Sequence, residues 1–261
     1  MNAKLFFAPL IGLLLIAHLA AAQACYLTSI VDASHDITTT ISYDDQHQIN
    51  GVISESGGVT SSYTVTTEMT PTGYTRTCRI QGDSARVSYT TIKITFDKAN
   101  RIVMTESSSA MMHVTERFTY NASHQLTQIE QEASFSVPGG APSKDHSRMV
   151  YTYPNSTSGN PSEIKTFGMV NNNPTLALTE DVLLTYDNRK AIPDDFPFSA
   201  SPFRAYSKNN ILTADVTYIV SENVKVKQKY AYTFNDQGYP LTKTYQFSGQ
   251  STTDTYEYNC Q

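Results

Sequence analysis

One short pattern recurs six times along this chain and constrains its fold more than any other feature. An aromatic residue is followed by Asp or Asn (Pro once), then a short polar turn, and then Leu or Ile opens another alternating stretch. Such turn residues between two alternating stretches are the signal of a β-hairpin corner. The repeat therefore predicts a chain of successive hairpins. Its six corners are Tyr43-Asp44, Phe96-Asp97, Tyr120-Asn121, Tyr153-Pro154, Tyr186-Asp187 and Phe234-Asn235.

Composition agrees with an all-β protein. The 261 residues include 17 Tyr and 11 Phe, and helical periodicity is absent after the first 24 residues. We expect one domain, residues 25–261, folded as a single large curved antiparallel up-and-down sheet or an incomplete barrel. Its predicted strands are 26–32, 36–43, 48–55, 60–69, 74–80, 85–96, 101–106, 110–120, 125–135, 147–153, 162–169, 175–186, 211–220, 224–234, 240–247 and 252–259.

Alternation has period two in Val114, Glu116 and Phe118, but it breaks just after two of the corners. Large apolar residues there are three apart, as in Ile49 to Val52 and Leu126 to Ile129. Either a β-bulge follows each turn, or both faces of these strands are partly covered. The sequence leaves both explanations open.

Residues 1–24 have the pattern of a secretory signal peptide. Lys4 precedes an apolar run, and a series of small alanines precedes Cys25. We therefore expect an exported protein that is secreted, periplasmic or associated with the cell envelope.

Three cysteines in an exported chain predict one disulfide and one remaining thiol. Our first choice is Cys25 with Cys260, which would join the first strand to the last. The pairs Cys25–Cys78 and Cys78–Cys260 stay open, the second of them if Cys25 carries a lipid anchor. Lipidation is the less favoured alternative, because the residues before Cys25 fit a lipoprotein signal poorly.

Two hairpin phrases, residues 118–129 (FTYNASHQLTQI) and 232–243 (YTFNDQGYPLTK), support a family resemblance. They resemble the hairpin repeats of an exported Bacteroidota family of unknown function with a porin-like β fold. The resemblance covers nearly all of the mature chain. It implies a strongly curved antiparallel sheet or incomplete barrel, and it supplies no catalytic residue.

The irregular segment 187–210 combines aromatic residues with three prolines, so it cannot be an interior strand. We expect this Pro/Phe-rich segment either to complete the core or to cover a cavity. The candidate ligand-binding residues are Phe196, Phe198, Phe203 and Tyr206.

Sequence motifs for catalysis, metals and cofactors are not found in the chain. His113 and Glu116 are three apart, which puts them on opposite faces of a strand and unsuited to sharing a metal. We therefore predict no metal, no cofactor and no enzyme activity. Glycan hydrolysis remains the minor alternative, since its paired carboxylates come from distant strands.

Partner classes are limited by charge and by the faces of the strands. The net charge of −5 and the lack of a basic aromatic stripe disfavour nucleic acid. Polar residues opposite the aromatic ones disfavour a membrane-spanning barrel. Two hypotheses remain: a non-enzymatic binding module that holds an apolar or lipid-like molecule in the curved sheet, or a surface-interaction protein that recognises glycan or protein through an exposed strand face.

Overall fold

In a computed structural model, the chain is described over residues 25–33, 36–81, 91–136, 141–170, 173–191, 207–221, 223–247 and 249–260. Each of the sixteen predicted strands corresponds to one strand of the structure. Among the residues described, no helix is long and apolar enough to cross a membrane. The strands are β1 (Cys25–Asp32), β2 (Ile37–Tyr43), β3 (Ile49–Ser56), β4 (Val59–Thr70), β5 (Gly73–Gln81), β6 (Thr91–Asp97), β7 (Ile102–Ser108), β8 (Met112–Tyr120), β9 (Leu126–Phe135), β10 (Ser143–Thr152), β11 (Glu163–Val170), β12 (Asn173–Lys190), β13 (Asn209–Tyr218), β14 (Val224–Phe234), β15 (Pro240–Phe247) and β16 (Gln250–Cys260).

The sixteen strands form a closed barrel in which each strand pairs antiparallel with its neighbours in sequence. The predicted antiparallel up-and-down arrangement is confirmed, but the expectation of an open sheet or incomplete barrel is wrong. The first strand pairs with the last, and Cys25 lies opposite Cys260 in that register. Closure removes two edges whose N–H and C=O groups would otherwise be unpaired.

The interior is apolar in two separate clusters on opposite halves of the barrel. Ile102 on β7 packs against both of them. The first cluster, on β1–β6 and β16, contains Leu27, Ile41, Ile49, Val52, Val65, Cys78, Ile92, Ile94, Phe96 and Tyr256. The second, on β8–β13, contains Phe118, Leu126, Ile129, Tyr151, Ile164, Val182, Leu184, Ala214 and Val216.

The outer face of the barrel is mainly polar. Hydroxyl pairs join neighbouring strands there, for example Thr244 and Thr253 at 2.8 Å. Lys225, Lys227 and Lys229 are all exposed, and Lys227 Nζ lies 3.1 Å from Asp215 Oδ1. Large apolar side chains such as Ile53 and Leu183 are also exposed on this face.

Candidate functional site

Four of the six repeated corners share one geometry, built on one side-chain oxygen. In the corner after β8, Asn121 Oδ1 accepts hydrogen bonds from the main-chain N–H of Ser123 and Gln125, both at 3.0 Å. In their own corners, the Oδ1 atoms of Asp44, Asp97 and Asn235 accept the equivalent two hydrogen bonds. A short carboxylate or amide satisfies main-chain donors that the turn would leave unpaired. This explains why the repeat has Asp or Asn after the aromatic residue.

The fourth residue of each of these corners is in the left-handed region. It is His47, Asn100, His124 or Gly238, with φ of 57°, 60°, 63° and 81°. Such a residue after a type I turn is the usual basis of a bulged hairpin.

One unpaired residue then follows each corner. Tyr120 pairs with Leu126 while Thr119 pairs with Gln128, so Thr127 is unmatched. The same shift occurs between β2 and β3, which lets Ile49 and Val52 both point inward. Of the two explanations that the sequence left open, the β-bulge is the one observed.

All six corners lie at the same end of the barrel, which we call the corner end. An up-and-down barrel places alternate connections at opposite ends, and the six aromatic residues lie at or near the C-terminal ends of β2, β6, β8, β10, β12 and β14. The β1 end at Cys25 and the β16 end at Cys260 lie at the corner end as well.

A cavity of about 690 Å³ lies inside the corner end and is lined by residues of β1–β3, β5–β9 and the corner loops. We call it the corner cavity. Its apolar side chains are Leu27, Ile41, Ile49, Phe96, Ile102 and Leu126. Its volume lies in the range of roughly 300–1,000 Å³ that is usual for small-molecule sites.

Tyrosines line the cavity together with these apolar groups. The Tyr43 hydroxyl donates to the Leu27 carbonyl at 2.7 Å, and the Tyr120 hydroxyl to the Ile102 carbonyl at 2.9 Å. Burial raises the pKa of Tyr120 and that of Tyr153 to about 12, so both are neutral at physiological pH. Tyr26 stacks on His47 at 4.7 Å between ring centroids.

The rim of the cavity is fixed by buried and half-buried amide side chains. Gln125 Nε2 donates to the carbonyls of Asn155 and Ser158, at 2.9 and 2.7 Å. These bonds hold the long loop between β10 and β11 against the corner after β8. Asn160 and Asn209 exchange two further hydrogen bonds, at 2.9 and 3.1 Å, which join the same loop to β13.

Three cationic side chains line the cavity: Arg76, Arg101 and Lys208. Arg101 is paired with Asp97, with Nη2 to Oδ2 at 2.6 Å, and its guanidinium lies 4.7 Å from the Tyr120 ring centroid. Arg76 is only 5% exposed and lies over Phe96. Sequence reasoning missed Arg76, although the alternation that places Tyr74 and Cys78 inward places it inward too.

The disulfide lies beside this site. Cys25 and Cys260 are bonded, as predicted, and Cys25 lines the cavity. A sulfur that is held in a disulfide cannot at the same time form the thioether of a lipid anchor. Cys78 is free and fully buried, and burial raises the pKa of its thiol to about 11, so it is protonated and unreactive at neutral pH.

The predicted ligand-binding residues Phe196, Phe198, Phe203 and Tyr206 lie outside the described residues, as do the predicted signal peptide 1–24 and most of the Pro/Phe-rich segment. The described residues that flank this segment, Ala191 and Ser207, are at the corner end, where Ala191 N donates to the Lys208 carbonyl at 3.2 Å. Within the part of the chain that is described, no group of three or more His, Cys, Asp or Glu is placed to hold a metal ion.

Two solved structures of other proteins have a similar architecture. A porin-like protein from Bacteroides vulgatus matches with a TM-score of 0.59 at 11% identity, covering 90% of this chain and 99% of that one. This chain has a porin-like fold. A porin-like protein from Bacteroides uniformis matches with a TM-score of 0.51 at 15% identity, covering 91% and 96% of the two chains.

The porin-like β fold that the two hairpin phrases suggested is therefore confirmed, although the barrel is closed rather than incomplete. No protein-family model matches the chain. No curated protein matches it either.

Proposed function

We propose that the protein is an exported, non-enzymatic binding module that holds a small ligand in the corner cavity. The observation that supports this most is the cavity itself, about 690 Å³ inside the end of the barrel where the repeated corners meet. Its wall combines apolar side chains with tyrosines and a few polar groups, which is the usual make-up of a small-molecule site.

The rim supports binding because it is held in place before any ligand arrives. Gln125 bridges two elements, and its amide nitrogen and oxygen are all used within the protein. A preformed site loses less conformational entropy on binding than one that must be ordered.

The outer face supports a barrel that stands in water. A lipid-facing barrel needs an apolar band about 25 Å tall. Here the outward positions of β14 include Lys225, Lys227 and Lys229, and hydroxyl pairs join β14 to β15 and β15 to β16. The disulfide between Cys25 and Cys260 is compatible with an oxidising compartment outside the cytoplasm.

Recognition of glycan or protein through an exposed strand face is the weaker alternative. Such a surface would present aromatic side chains to solvent. Every tyrosine in the described part of the chain is buried or half-buried, and none is exposed. The large aromatic area is therefore turned toward the interior.

The proposal is tested with N-phenyl-1-naphthylamine, a neutral probe that fluoresces in apolar surroundings. We expect saturable binding to the mature protein. Ser156 is exposed and lines the cavity, so Ser156→Trp should fill the opening and weaken binding by on the order of tenfold or more. Ser221 is exposed in the turn after β13, at the opposite end, and Ser221→Trp is the matched control.

Equal binding by wild type and both variants would place the probe elsewhere and reject the cavity as the site. Absence of binding by the wild type would reject it as well.

A further inference from the structure

Arg76 is an unusual residue in this interior because its charge has no ionic partner among the described residues. The side chain is 5% exposed and lines the corner cavity. Its Nε and Nη1 atoms are buried and have no hydrogen-bond partner in the described residues. Its Nη2 makes only a 3.5 Å contact with the neutral amide of Gln48.

The groups around Arg76 do not neutralise it. Phe96 offers its ring face at 5.5 Å, which offsets part of the desolvation of the guanidinium but supplies no negative charge. The thiol of Cys78 is nearby, but burial raises its pKa to about 11 and keeps it uncharged. Burying a charge without a partner is costly, so such groups are normally paired.

Several other charged groups inside the barrel have partners. Lys243 Nζ lies 3.7 Å from Asp254 Oδ2, and Glu116 Oε2 accepts a hydrogen bond from Thr105 at 2.6 Å. Arg101, on the cavity rim, is paired with Asp97. Arg76 is thus the exception among these residues.

The cavity wall as a whole favours negative charge. Among the described residues that line it, the cationic and imidazole side chains are Arg76, Arg101, Lys208, His47 and His124, and none is Asp or Glu. The chain as a whole has a net charge of −5, so this basic lining does not simply reflect composition. Asp97 neutralises Arg101, which leaves Arg76 and Lys208 as the cations without an ion pair among the described residues.

We propose that the ligand of the corner cavity is an organic acid with an apolar body, whose oxyanion group lies against Arg76. The apolar body lies against side chains such as Leu27, Ile49 and Leu126, which line the same cavity. Carboxylate, sulfonate and phosphate share the required chemistry, since each accepts charge-assisted hydrogen bonds from a guanidinium. This inference rests on the proposed function and adds the chemical class of the ligand.

The test compares two probes that differ by one oxyanion. They are 8-anilinonaphthalene-1-sulfonate and N-phenyl-1-naphthylamine, which share the same ring system. Arg76→Met removes the charge and keeps much of the side-chain volume. We expect it to weaken sulfonate binding by on the order of 10- to 100-fold and to leave amine binding within about twofold.

Arg79 provides the matched control. It lies on the same strand, is exposed and faces away from the cavity. Arg79→Met should change neither affinity. An equal effect of both Arg variants, or unchanged sulfonate binding by Arg76→Met, would overturn the assignment of Arg76.

A measurement on the wild type keeps the test decisive if Arg76→Met does not fold. The wild type should bind the sulfonate probe on the order of tenfold or more tightly than the neutral amine, because only the sulfonate can accept charge-assisted hydrogen bonds from Arg76. Equal binding of the two probes, or tighter binding of the amine, would overturn the proposal. Inorganic sulfate at millimolar concentration should not displace the sulfonate probe; full displacement would show a site for small free anions and overturn the apolar part of the inference.

The two proposals fail in different ways. If Ser156→Trp blocks binding of the neutral amine but Arg76→Met leaves the affinity for the sulfonate unchanged, the organic-acid proposal is rejected and the cavity remains the binding site. If neither probe binds in the cavity of the wild type, both proposals are rejected.

Discussion

At the scale of single residues, the corners depend on the oxygen atom of one short side chain. Asn235 Oδ1 accepts hydrogen bonds from the main-chain N–H of Gln237 at 3.1 Å and Tyr239 at 2.8 Å. An intramolecular hydrogen bond contributes about 0.5–1.5 kcal/mol net, and an unpaired donor costs more when it is shielded from water.

Asn235→Ala should therefore lower the free energy of unfolding by about 1–3 kcal/mol, measured by urea denaturation. Asn235→Asp keeps the accepting oxygen and should remain within about 0.5 kcal/mol of the wild type. Both variants lose the weak 4.0 Å contact of Asn235 Nδ2 with Cys260 Sγ, so that contact does not contribute to their difference. Equal stability of the two variants would contradict this account of the corner.

Cys78 supplies a second residue-scale prediction. Its thiol is buried between strands, and burial raises its pKa to about 11 from an ordinary value of 9.0. Ellman's reagent at pH 8 should leave the thiol of the native protein unmodified and should titrate one thiol per chain in urea. Rapid labelling of the native protein would show that the β4–β6 region opens readily.

The same burial makes stability depend on pH. The unfolded thiol ionises near pH 9 and the folded thiol only near pH 11, so the unfolded state loses its proton first. The stabilising contribution is fully present below pH 9 and is lost as the pH rises toward 11. Wild type should lose about 1 kcal/mol more than Cys78→Ala between pH 8 and pH 10.

At the scale of elements, the corner and its bulge form one repeating unit. Gly238 has φ of 81°, and a Cβ atom there would meet no atom within 4 Å. A side chain at this position therefore lowers the stability of the protein only through the strained backbone conformation, and not through a steric clash.

Gly238→Ala should destabilise the protein by about 1–2 kcal/mol, because non-Gly residues pay that penalty in the left-handed region. Gly238→Asn should cost less, since Asn tolerates this conformation and occupies the matching position at Asn100. Chemical denaturation of the two variants in parallel measures the difference. A larger loss for Asn than for Ala would contradict the conformational explanation.

Local features of this unit could be read from the sequence, and long-range ones could not. The recurring aromatic and Asp or Asn residues located the strands and corners, and the step from Leu126 to Ile129 pointed to a bulge among its two explanations. Closure of the barrel depends on strand pairing between β1 and β16, in which Cys25 lies opposite Cys260 at a sequence separation of 235. No local pattern encodes such a pair, although the disulfide was predicted from where the two cysteines lie.

The position of Arg76 illustrates the same limit. Period-two alternation places it inward with Tyr74 and Cys78, but alternation does not distinguish a filled core from an open cavity. That distinction arises only when β5 lies beside the corners at the end of a closed barrel.

At the scale of the whole molecule, sixteen strands enclose more space than side chains alone fill. Barrels of about eight strands are wide enough only for their own side chains, whereas those of about sixteen leave a lumen. Two apolar clusters occupy part of this interior, and the corner cavity takes up part of the rest. The polar outer face and the cavity are the two features on which the proposed role, a container in water, depends.

The central claim is that this container holds a ligand, and the native intact mass of the protein purified from its own cells tests it most directly. We predict a mass above that of the disulfide-bonded mature chain, which is lost on denaturation and is absent from Ser156→Trp prepared in the same way. A native mass equal to that of the bare chain, or an excess that Ser156→Trp retains, would contradict the account.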